Sequence, residues 1–264
     1  MAYHSYGSQA PVNEMRIVLL GKTGCGKSKT GNTILGDIGY FKFGGTSNSL
    51  TSECSLRSNT RFEKKIDVVD TPGVFDTNRS NDEILHEIKR CISLTSPGPN
   101  AVILCLKIGR YTDEDNAALK HFVMFFGEEL LKYAIILFTH FDQWQEDNEG
   151  VQPPVTEVEY IKNIDNDFLR SVFGKCSNRH IFFNNRLKGN KQEDQVKRLL
   201  AMIENMIRVN GHGCYTNAHF EKVERLLQEE LAKERGKTRD EVKQSPNFFR
   251  RVLDSVKKLL GIPF

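Results

Sequence analysis

The sequence predicts an α/β fold in which a mostly parallel central sheet is flanked by helices and followed by a C-terminal helical extension. Two observations predict it: short apolar runs alternate with longer amphipathic segments, and a glycine-rich turn joins the first run to the first segment. Strands that alternate with helices are connected by crossovers, which favour parallel pairing. The strand-like runs are residues 17–20, 66–69, 101–106, 134–138 and 181–183, and the helix-like segments are residues 28–36, 81–95, 113–126, 154–173 and 191–209.

Composition divides the chain into three parts. Residues 1–14 are polar and contain Gly, Ser and Pro, which predicts a flexible leader. Residues 15–212 carry the alternating pattern and form the predicted main domain, and residues 213–264, strongly charged and helical in character, form the predicted extension. Within the main domain, residues 37–59 are rich in Gly, Ser, Thr and Asn and lack clear periodicity, so we expect a mobile loop there.

Bulk composition argues against several classes of protein. The 37 Lys and Arg residues nearly balance the 34 Asp and Glu residues, and a net charge of +3 is too small to indicate nucleic-acid binding. The six cysteines form no C-x-x-C pair, which is typical of reduced thiols. No apolar run approaches the ~20 residues that span a bilayer. We therefore expect a cytoplasmic protein, or one attached peripherally to an intracellular membrane.

A phosphate-binding turn follows the first predicted strand. The segment matches G-x-x-x-x-G-K-[ST], the P-loop pattern, and opens the first predicted helix, as the motif requires. Its glycines let backbone N–H groups point at phosphate oxygens; Lys27 should reach the β- and γ-phosphates, and Ser28 should bind Mg²⁺. The alternative is a chance glycine turn before a helix. The predicted nucleotide-binding residues here are Gly21, Lys22, Thr23, Gly24, Cys25, Gly26, Lys27, Ser28 and Lys29.

A second motif, D-T-P-G, follows the strand-like run at residues 66–69. Asp70 stands at the end of this run, which suits an aspartate that binds Mg²⁺ through water. Gly73 would offer its backbone N–H to the γ-phosphate, because the absence of a Cβ permits close approach. Alone, the motif would indicate a common turn. After a P-loop it indicates a sensor of the bound nucleotide.

A third motif bears on the choice of base. The strand-like run at residues 134–138 leads into Thr139-His140-Phe141-Asp142, at the sheet edge where a base would lie. A carboxylate there can accept both the ring N–H and the exocyclic amine of guanine, whereas adenine has no ring N–H, so Asp142 favours GTP over ATP. Most G proteins have Asn-Lys-x-Asp at this place, and Thr139 and His140 depart from that pattern. The alternative is an exposed turn aspartate.

The order of these motifs resembles that of the GIMAP proteins, the immunity-associated GTPases of a wider septin-like and chloroplast-import-receptor group. The resemblance covers about residues 14–220, and its block between DTPG and THFD is not shared by G proteins generally. It implies a P-loop NTPase G domain that binds GTP or GDP with Mg²⁺ and associates through its nucleotide face. The segments that carry it are GKTGCGKSKTGNTILG, VVDTPGVFDT, SPGPNAVILCLKIGRYTDEDNAALKHF, FFGEELLKYAIILFTHFD and FFNNR.

Further site residues come from this resemblance. Thr51, in SLTSEC, occupies the place of the switch threonine that binds Mg²⁺ and the γ-phosphate, and several nearby Ser and Thr residues compete for the role. Asn184 and Asn185 look like residues that flank the base, with a polar turn as the alternative. Where the family usually has His after P-G-P, this chain has Asn100, which leaves the role of that side chain open.

Hydrolysis of GTP needs charge neutralisation and a positioned water. Lys27, Thr51 and Arg110 are the predicted catalytic residues, but no glutamine follows DTPG, so we expect slow turnover by the monomer. In this family the GRYT arginine, here Arg110, looks like a residue that reaches the nucleotide of a neighbouring subunit, in a homodimer or a hetero-oligomer of related G domains. An arginine acting in trans would raise the rate about 10³–10⁵-fold. The alternative is a surface arginine.

Two functions of different class fit these motifs. The first is a slow GTPase that acts as an immunity-associated molecular switch. The second is a GTP-dependent assembly scaffold with little or no hydrolysis, which the missing glutamine and the unusual Thr139 and His140 keep open. An ATP-using kinase or ATPase would need an acceptor site and a lid, and Asp142 argues against it.

The last segment of the chain is a predicted basic amphipathic helix. Its apolar residues fall on one helical face, with its Arg and Lys residues mostly elsewhere. Residues 246–264 could therefore contact an anionic membrane surface, or fold back over the G domain, which is the alternative we favour. The apolar face consists of Phe248, Phe249, Val252, Leu253, Val256, Leu259 and Leu260.

Overall fold

The computed structural model of the chain describes residues 14–36, 39–43, 51, 53–73, 80–109, 111–211 and 213–256. Within these ranges a six-stranded sheet has the order β2-β3-β1-β4-β5-β6. Neighbouring strands are parallel except for β2 and β3, which are antiparallel. The strands are β1 (Glu14–Leu20), β2 (Ser55–Arg61), β3 (Lys64–Asp70), β4 (Ala101–Lys107), β5 (Ala134–Thr139) and β6 (His180–Phe182).

Helices cover both faces of this sheet. Side chains alternate between the faces along each strand: in β1, Ile17 and Leu19 pack in the core beneath α1 and α7, whereas Val18 and Leu20 pack beneath α2, α3 and α8. The predicted fold class is thereby confirmed. The helices are α1 (Lys27–Leu35), α2 (Asn81–Thr95), α3 (Asp113–Phe126), α4 (Phe141–Asn148), α5 (Glu157–Lys162), α6 (Asp167–Lys175), α7 (Gly189–Val209), α8 (Ala218–Lys233), α9 (Arg239–Lys243) and α10 (Pro246–Val256), with a 3₁₀ turn at Glu128–Tyr133.

One strand lies inside the segment for which the sequence predicted a loop. β2 pairs along its whole length with β3 at the edge of the sheet, but its sequence, SLRSNTR, is polar and buries only Leu56. An edge strand needs no continuous apolar run, so periodicity failed to detect it. The loop prediction was therefore wrong for residues 55–59. Residues 37, 38, 44–50 and 52 lie outside the described residues, and the mobility predicted for them stays a prediction.

The predicted helix at residues 154–173 was also wrong, since two helices, α5 and α6, occupy this region. The Asn166 side chain accepts a hydrogen bond from the Leu169 N–H at 2.9 Å and so caps the start of a new helix. The sequence analysis missed α4, which begins directly after His140. This helix has only 8 residues and none of them is fully buried, so it leaves little apolar periodicity in the sequence.

The C-terminal helices pack on the core formed by the sheet and its flanking helices. In α10, Phe248 and Val252 have no exposed surface and lie between α2 and α8, as the fold-back alternative expects. Leu259 and Leu260 of the predicted apolar face lie outside the described residues. Among the helices in the described ranges, none has the combined length and apolarity that crossing a bilayer demands. The division of the chain at residues 212 and 213, and the leader at residues 1–14, stay predictions.

Candidate nucleotide-binding site

The P-loop connects β1 to α1 and contacts the carboxyl ends of β4 and β5. Gly21 and Gly26 have φ angles of 148° and 93°, a region that side chains rarely adopt. At Gly21 a Cβ atom would lie 2.3 Å from the Cys105 carbonyl oxygen, and at Gly26 it would lie 3.3 Å from Thr139 Cγ2. Glycine at these positions therefore lets the loop lie directly against the neighbouring strands.

The Lys27 ammonium is held inside this loop. Lys27 is only 6% exposed, and its Nζ donates hydrogen bonds to the carbonyl oxygens of Gly21 and Lys22, both at 2.8 Å. A further hydrogen bond fixes the loop to the end of β5, since Thr139 Oγ1 donates to the Cys25 carbonyl oxygen at 2.7 Å. The loop thus surrounds a positive charge, and β5 holds its backbone.

Three oxygen-bearing side chains meet beside this lysine. Ser28 Oγ donates to Asp70 Oδ2 at 2.6 Å, and Thr51 Oγ1 lies 3.2 Å from Ser28 Oγ and 3.4 Å from Asp70 Oδ2. Asp70 is fully buried, and burial raises the pKa of its carboxyl, while the hydrogen bond from Ser28 and the charge of Lys27 oppose that rise. The second carboxylate oxygen of Asp70 is buried without a hydrogen-bond partner among the described residues.

This donor set fits Mg²⁺. Magnesium prefers oxygen ligands and is commonly bound by one or two carboxylates together with phosphates and water, rather than by an all-protein cage. In the described part of the chain, no group of three or more His, Cys, Asp or Glu side chains forms a metal site. One buried carboxylate with a free oxygen and two hydroxyls, next to a phosphate-binding loop, could hold this ion.

Lys22 extends away from the loop toward α3. Its Nζ donates to Thr112 Oγ1 at 2.8 Å and forms an ion pair with Asp115 at 2.9 Å. Thr112 and Asp115 are also the two members of the capping box that starts α3. The Lys22 side chain therefore fastens the P-loop to the start of α3, which follows Arg110. Arg110 itself lies outside the described residues, so its predicted role stays a prediction.

The first two residues of the THFD motif support the P-loop. Thr139 is fully buried, and its hydroxyl is hydrogen-bonded to Cys25 and lies 2.9 Å from His140 Nδ1. His140 adopts a left-handed conformation, with φ of 59°, at the start of α4. Burial lowers the pKa of His140, and nearby Lys107 lowers it further. Thr139 thus binds the loop through its side chain.

Asp142 lies close to the segment that follows β6. Its Oδ2 forms an ion pair with Arg186 Nε at 3.0 Å, with the carboxylate mostly buried and the guanidinium exposed. Asn184 Oδ1 accepts a hydrogen bond from the Arg186 N–H at 2.8 Å. The backbone of Asn184 is held by Gln195, whose side chain accepts from its N–H at 2.8 Å. The structure thus brings the THFD aspartate and the FFNNR segment together.

Asn185 is bound to α1 instead. Its amide nitrogen donates to Thr30 Oγ1 at 3.0 Å, and its Oδ1 accepts from Thr33 Oγ1 at 2.9 Å. Both hydroxyls belong to the helix that continues the P-loop. The two asparagines, which the sequence left equivalent, therefore differ: Asn185 links the FFNNR segment to α1, and Asn184 shapes the turn beside Asp142.

The remaining predicted residues occupy the loop and its surroundings. Thr23 and Gly24 are exposed at the tip of the P-loop, and Lys29 is partly exposed on α1. Gly73 is buried at the end of the described segment 53–73. Among the described residues, every predicted site residue therefore belongs to the same edge of the sheet or to the helix next to it.

Sequence reasoning missed four residues at this edge. Arg186 directly follows the two asparagines in FFNNR, and this position could have indicated that it lies near Asp142. Thr112 and Asp115 could have been found from T-x-x-D, a capping pattern before an apolar segment. Gln195 carried no signal, because nothing in the sequence relates α7 to the turn after β6.

The chain is similar in sequence to several known proteins. The model of the AIG1 family matches residues 15–235. Immune-associated nucleotide-binding protein 9 of Arabidopsis thaliana is 33% identical over 250 residues, covering 94% of this chain and 70% of the relative. GTPase IMAP family member 8 of Homo sapiens is 33% identical over 216 residues, covering 81% of this chain and 31% of the relative. Across the first five plant relatives, the chain spans between 46% and 70% of the relative's own length.

Solved structures show the same fold. Toc33 from Arabidopsis thaliana, crystallised with GDP and Mg²⁺, superposes with a TM-score of 0.57 at 18% identity and covers 77% of this chain and 88% of its own. Toc33 with Mg²⁺ and GMPPNP gives a TM-score of 0.55 at 18% identity, with 76% and 87% of the two chains covered. The family match over most of the chain confirms the resemblance drawn from the motifs, and the chain belongs to the AIG1 family.

Proposed function

We propose that the chain is a G protein that binds GTP and GDP with Mg²⁺ and hydrolyses GTP slowly, with faster turnover when two G domains meet. The observation that carries the proposal is the cluster of Ser28, Thr51 and Asp70 beside Lys27. Burying a carboxylate oxygen without a partner costs free energy, which a bound cation would offset. Few ligands other than a magnesium-bound nucleotide would use that carboxylate and the P-loop together.

The residues of the cluster have complementary roles in this proposal. Lys27 exchanges the carbonyl oxygens of Gly21 and Lys22 for β- and γ-phosphate oxygens, so that the loop opens around the phosphates. Ser28, Thr51 and Asp70 would hold Mg²⁺, which would supply positive charge next to the phosphates. Thr51 ties this site to the segment before β2. Loss of the γ-phosphate would remove a contact that holds this segment at the site.

The base site is formed by Asp142 and the FFNNR segment. Asp142 accepts the ring N–H and exocyclic amine of guanine, provided that Arg186 releases the carboxylate. Thr30 and Thr33 engage both polar atoms of the Asn185 side chain, whereas in Asn184 only the oxygen is engaged by a described residue, through the Arg186 N–H. We therefore assign the base contact to Asn184. The selection of guanine thus depends on a carboxylate that an arginine occupies in this structure.

Support for dimer-stimulated hydrolysis comes from the related proteins. One relative is named a GTPase, and dimerization is important for the GTPase activity of the chloroplast translocon components atToc33 and psToc159. A Toc33 variant with an arginine replaced by alanine is dimerization-deficient. By extension, we propose that Arg110 reaches the nucleotide of a second copy or of a related G domain. The absence of a glutamine after DTPG explains why one copy alone is slow.

The biological setting is proposed on the same basis. Several relatives are named immune-associated nucleotide-binding proteins. We propose that this chain is likewise a molecular switch in immunity. It would act in the cytoplasm and assemble as a homodimer or as a hetero-oligomer with related G domains. Peripheral membrane contact through residues 246–264 is part of this proposal. It requires the apolar face of α10 to leave the core, because Phe248 and Val252 are buried there.

Calorimetry and a hydrolysis assay test the proposal. With Mg²⁺ present, GDP and GTP should bind far more tightly than ADP and ATP. The GTP hydrolysis rate per molecule should rise with protein concentration. Equal affinity for guanine and adenine nucleotides would overturn the proposal, and a negligible rate at all concentrations would favour the assembly scaffold.

An aspartate variant tests the metal site separately. Asp70→Asn keeps the shape of the side chain but removes its charge, so GDP affinity in Mg²⁺ should fall toward the affinity that the wild type shows in EDTA. Asp82→Asn, a change to an exposed residue of α2, is the control and should behave as the wild type. Unaltered Mg²⁺ dependence in Asp70→Asn would remove Asp70 from the metal site.

A further inference from the structure

A second cleft opens between β2, α2 and the α9–α10 segment, and none of the described residues that line it belongs to the P-loop or the proposed base site. Its volume is about 440 Å³, within the range of about 300–1,000 Å³ that is typical of small-molecule sites. Of the described residues that line it, none is Asp or Glu, and five are basic or can become so: Arg57, His86, Arg90, Lys243 and Arg250.

Lys243 is the most unusual of these residues. It is only 3% exposed, and it forms no ion pair with a carboxylate in the described part of the chain. The carboxylates whose field acts on it, Asp67 and Asp240, both pair with Lys65. Burial, together with the charge of nearby Arg239, lowers the pKa of Lys243 to about 8. A buried ammonium without a paired carboxylate is costly unless another anion joins it.

The other cations leave the cleft strongly positive. Arg57 and Arg250 form no ion pair with a described residue. Arg90 pairs with Glu53 at 2.9 Å on the rim, and its guanidinium lies over the ring of Phe249, 5.4 Å from the centroid. Two carboxylates next to the cleft, Glu53 and Glu87, pair with Arg90 and His86. Three arginines and a buried lysine still leave an excess of positive charge.

Two further features describe the ligand. Ser93 lines the cleft and is 1% exposed, and its buried hydroxyl has no hydrogen-bond partner among the described residues. It can therefore donate to an anion inside the cleft. The cleft also has an apolar wall, which is formed by Leu94, Pro246, Phe249 and Leu253. Charge and apolar surface in one cleft fit a molecule with both an anionic and an aliphatic part.

We infer that this cleft binds an aliphatic phosphate monoester, with its phosphate held by Lys243, Arg57, Arg250 and Ser93 and its chain against the apolar wall. Several cations with a hydroxyl donor match a dianionic phosphate with several acceptor oxygens better than a singly charged carboxylate. The phosphate could belong to a soluble ester or to the head group of a phospholipid such as phosphatidic acid. The inference does not depend on nucleotide binding, since the two sites share no residue.

Calorimetry with octyl phosphate tests the inference, using the full chain with GDP and Mg²⁺ added so that the P-loop is occupied. Octyl phosphate should bind at least ten-fold more tightly than inorganic phosphate or octan-1-ol, because each supplies only half of the contacts. Arg250→Glu should weaken binding ten-fold or more, since a charge-assisted hydrogen bond contributes about 1.5–3 kcal/mol. Arg225→Glu, the same change on exposed α8, should leave it unchanged.

A lysine variant distinguishes a ligand-binding role from a structural one. Lys243→Met keeps the length of the side chain and removes the buried charge, so the variant should melt at a higher temperature and lose octyl phosphate binding. Octyl phosphate that fails to bind saturably, or that binds Arg250→Glu and Arg225→Glu equally, overturns the inference. If Lys243→Met does not fold, the comparison of the two arginine variants still decides.

Vesicles identify the source of the phosphate. Vesicles containing phosphatidic acid should sediment with the wild type and with Arg225→Glu, but not with Arg250→Glu, if a lipid head group is the ligand. Saturable octyl phosphate binding without such sedimentation would assign the cleft to a soluble ester. Either result supports a phosphate-monoester site, and sedimentation equal in all three proteins, without octyl phosphate binding, contradicts it.

Discussion

At the scale of single residues, several side chains near the P-loop form hydrogen bonds or ion pairs with other parts of the chain. Lys22 is fastened to α3, Thr139 to the P-loop backbone and Asn185 to α1. Each stands in a motif that predicts nucleotide contact, so a motif alone overstates how many side chains face the ligand. Such supporting contacts hold the P-loop and the FFNNR segment in place, and they leave fewer side chains free to contact a ligand.

Arg186 is the residue whose role is most open to a direct test. It forms an ion pair with the Asp142 carboxylate, the group that would accept hydrogen bonds from guanine. Because the Arg186 guanidinium is exposed and water screens its charge, Arg186→Ala should leave stability nearly unchanged. Without the competing guanidinium, GDP should bind a few-fold more tightly, as measured by calorimetry in Mg²⁺.

The matched control for this prediction is Arg198→Ala, which removes an exposed arginine from α7. Its GDP affinity should equal that of the wild type. Weaker GDP binding by Arg186→Ala would contradict competition and would show that the guanidinium contacts the bound nucleotide.

At the scale of elements, one glutamate joins three helices. Glu224 on α8 accepts a hydrogen bond from Ser96 Oγ, at the end of α2, at 2.7 Å. It is also bound by both terminal nitrogens of Arg239 on α9, at 2.9 and 2.7 Å. Burial raises the pKa of Glu224, but hydrogen bonds from Arg239, Gln228 and Ser96 outweigh it and lower the pKa to about 2. The C-terminal helices are therefore attached to α2 by polar as well as apolar contacts.

This attachment should depend on pH. The pKa of Glu224 is depressed from 4.5 to about 2 on folding, so its contribution is present above pH 4.5 and is lost as the pH falls toward 2. In urea unfolding, Glu224→Gln should be less stable than the wild type at pH 7, and the difference should shrink at pH 3. Glu221→Gln, an exposed change on the same helix, should show no such trend; a difference for Glu224→Gln that is constant with pH would contradict the prediction.

At the scale of the whole molecule, the P-loop is connected to α3, the helix that begins three residues after Arg110 in the sequence. Lys22 ties the P-loop to Thr112 and Asp115, two residues at the start of the same helix. A conformational change in the P-loop could thereby move the start of α3, and a movement of α3 could in turn alter the P-loop. This connection gives a physical reason for dimer contact and hydrolysis to be coupled in the proposed function.

The dimer proposal predicts a specific phenotype for Arg110→Ala. The variant should lose the rise in GTP hydrolysis rate per molecule with protein concentration, while GDP affinity stays near the wild-type value, because the arginine acts on another copy's nucleotide. The rate assay over a range of concentrations measures this. Arg208→Ala, an exposed change on α7, should keep the rise. Identical kinetics for Arg110→Ala and the wild type would exclude an action in trans.

Much of the fold was predictable from local pattern. The apolar runs of β1, β3, β4 and β5 are buried along most of their length, and a buried strand needs such a run. The edge strand β2 and the break between α5 and α6 were not predictable in this way. Their burial is partial, and a polar edge strand or a capped break leaves no apolar period to detect.

By itself, the sequence determined the class of fold, the family and the motifs that meet at one edge of the sheet, because spacing and residue type are enough to specify a P-loop and its partners. Only the tertiary structure decided which side chains remain available there. It separated Asn184 from Asn185, paired Asp142 with Arg186 and gathered the basic cleft from β2, α2 and the C-terminal helices. The physical reason is that hydrogen bonds and ion pairs join residues far apart in the chain, and no local pattern records them.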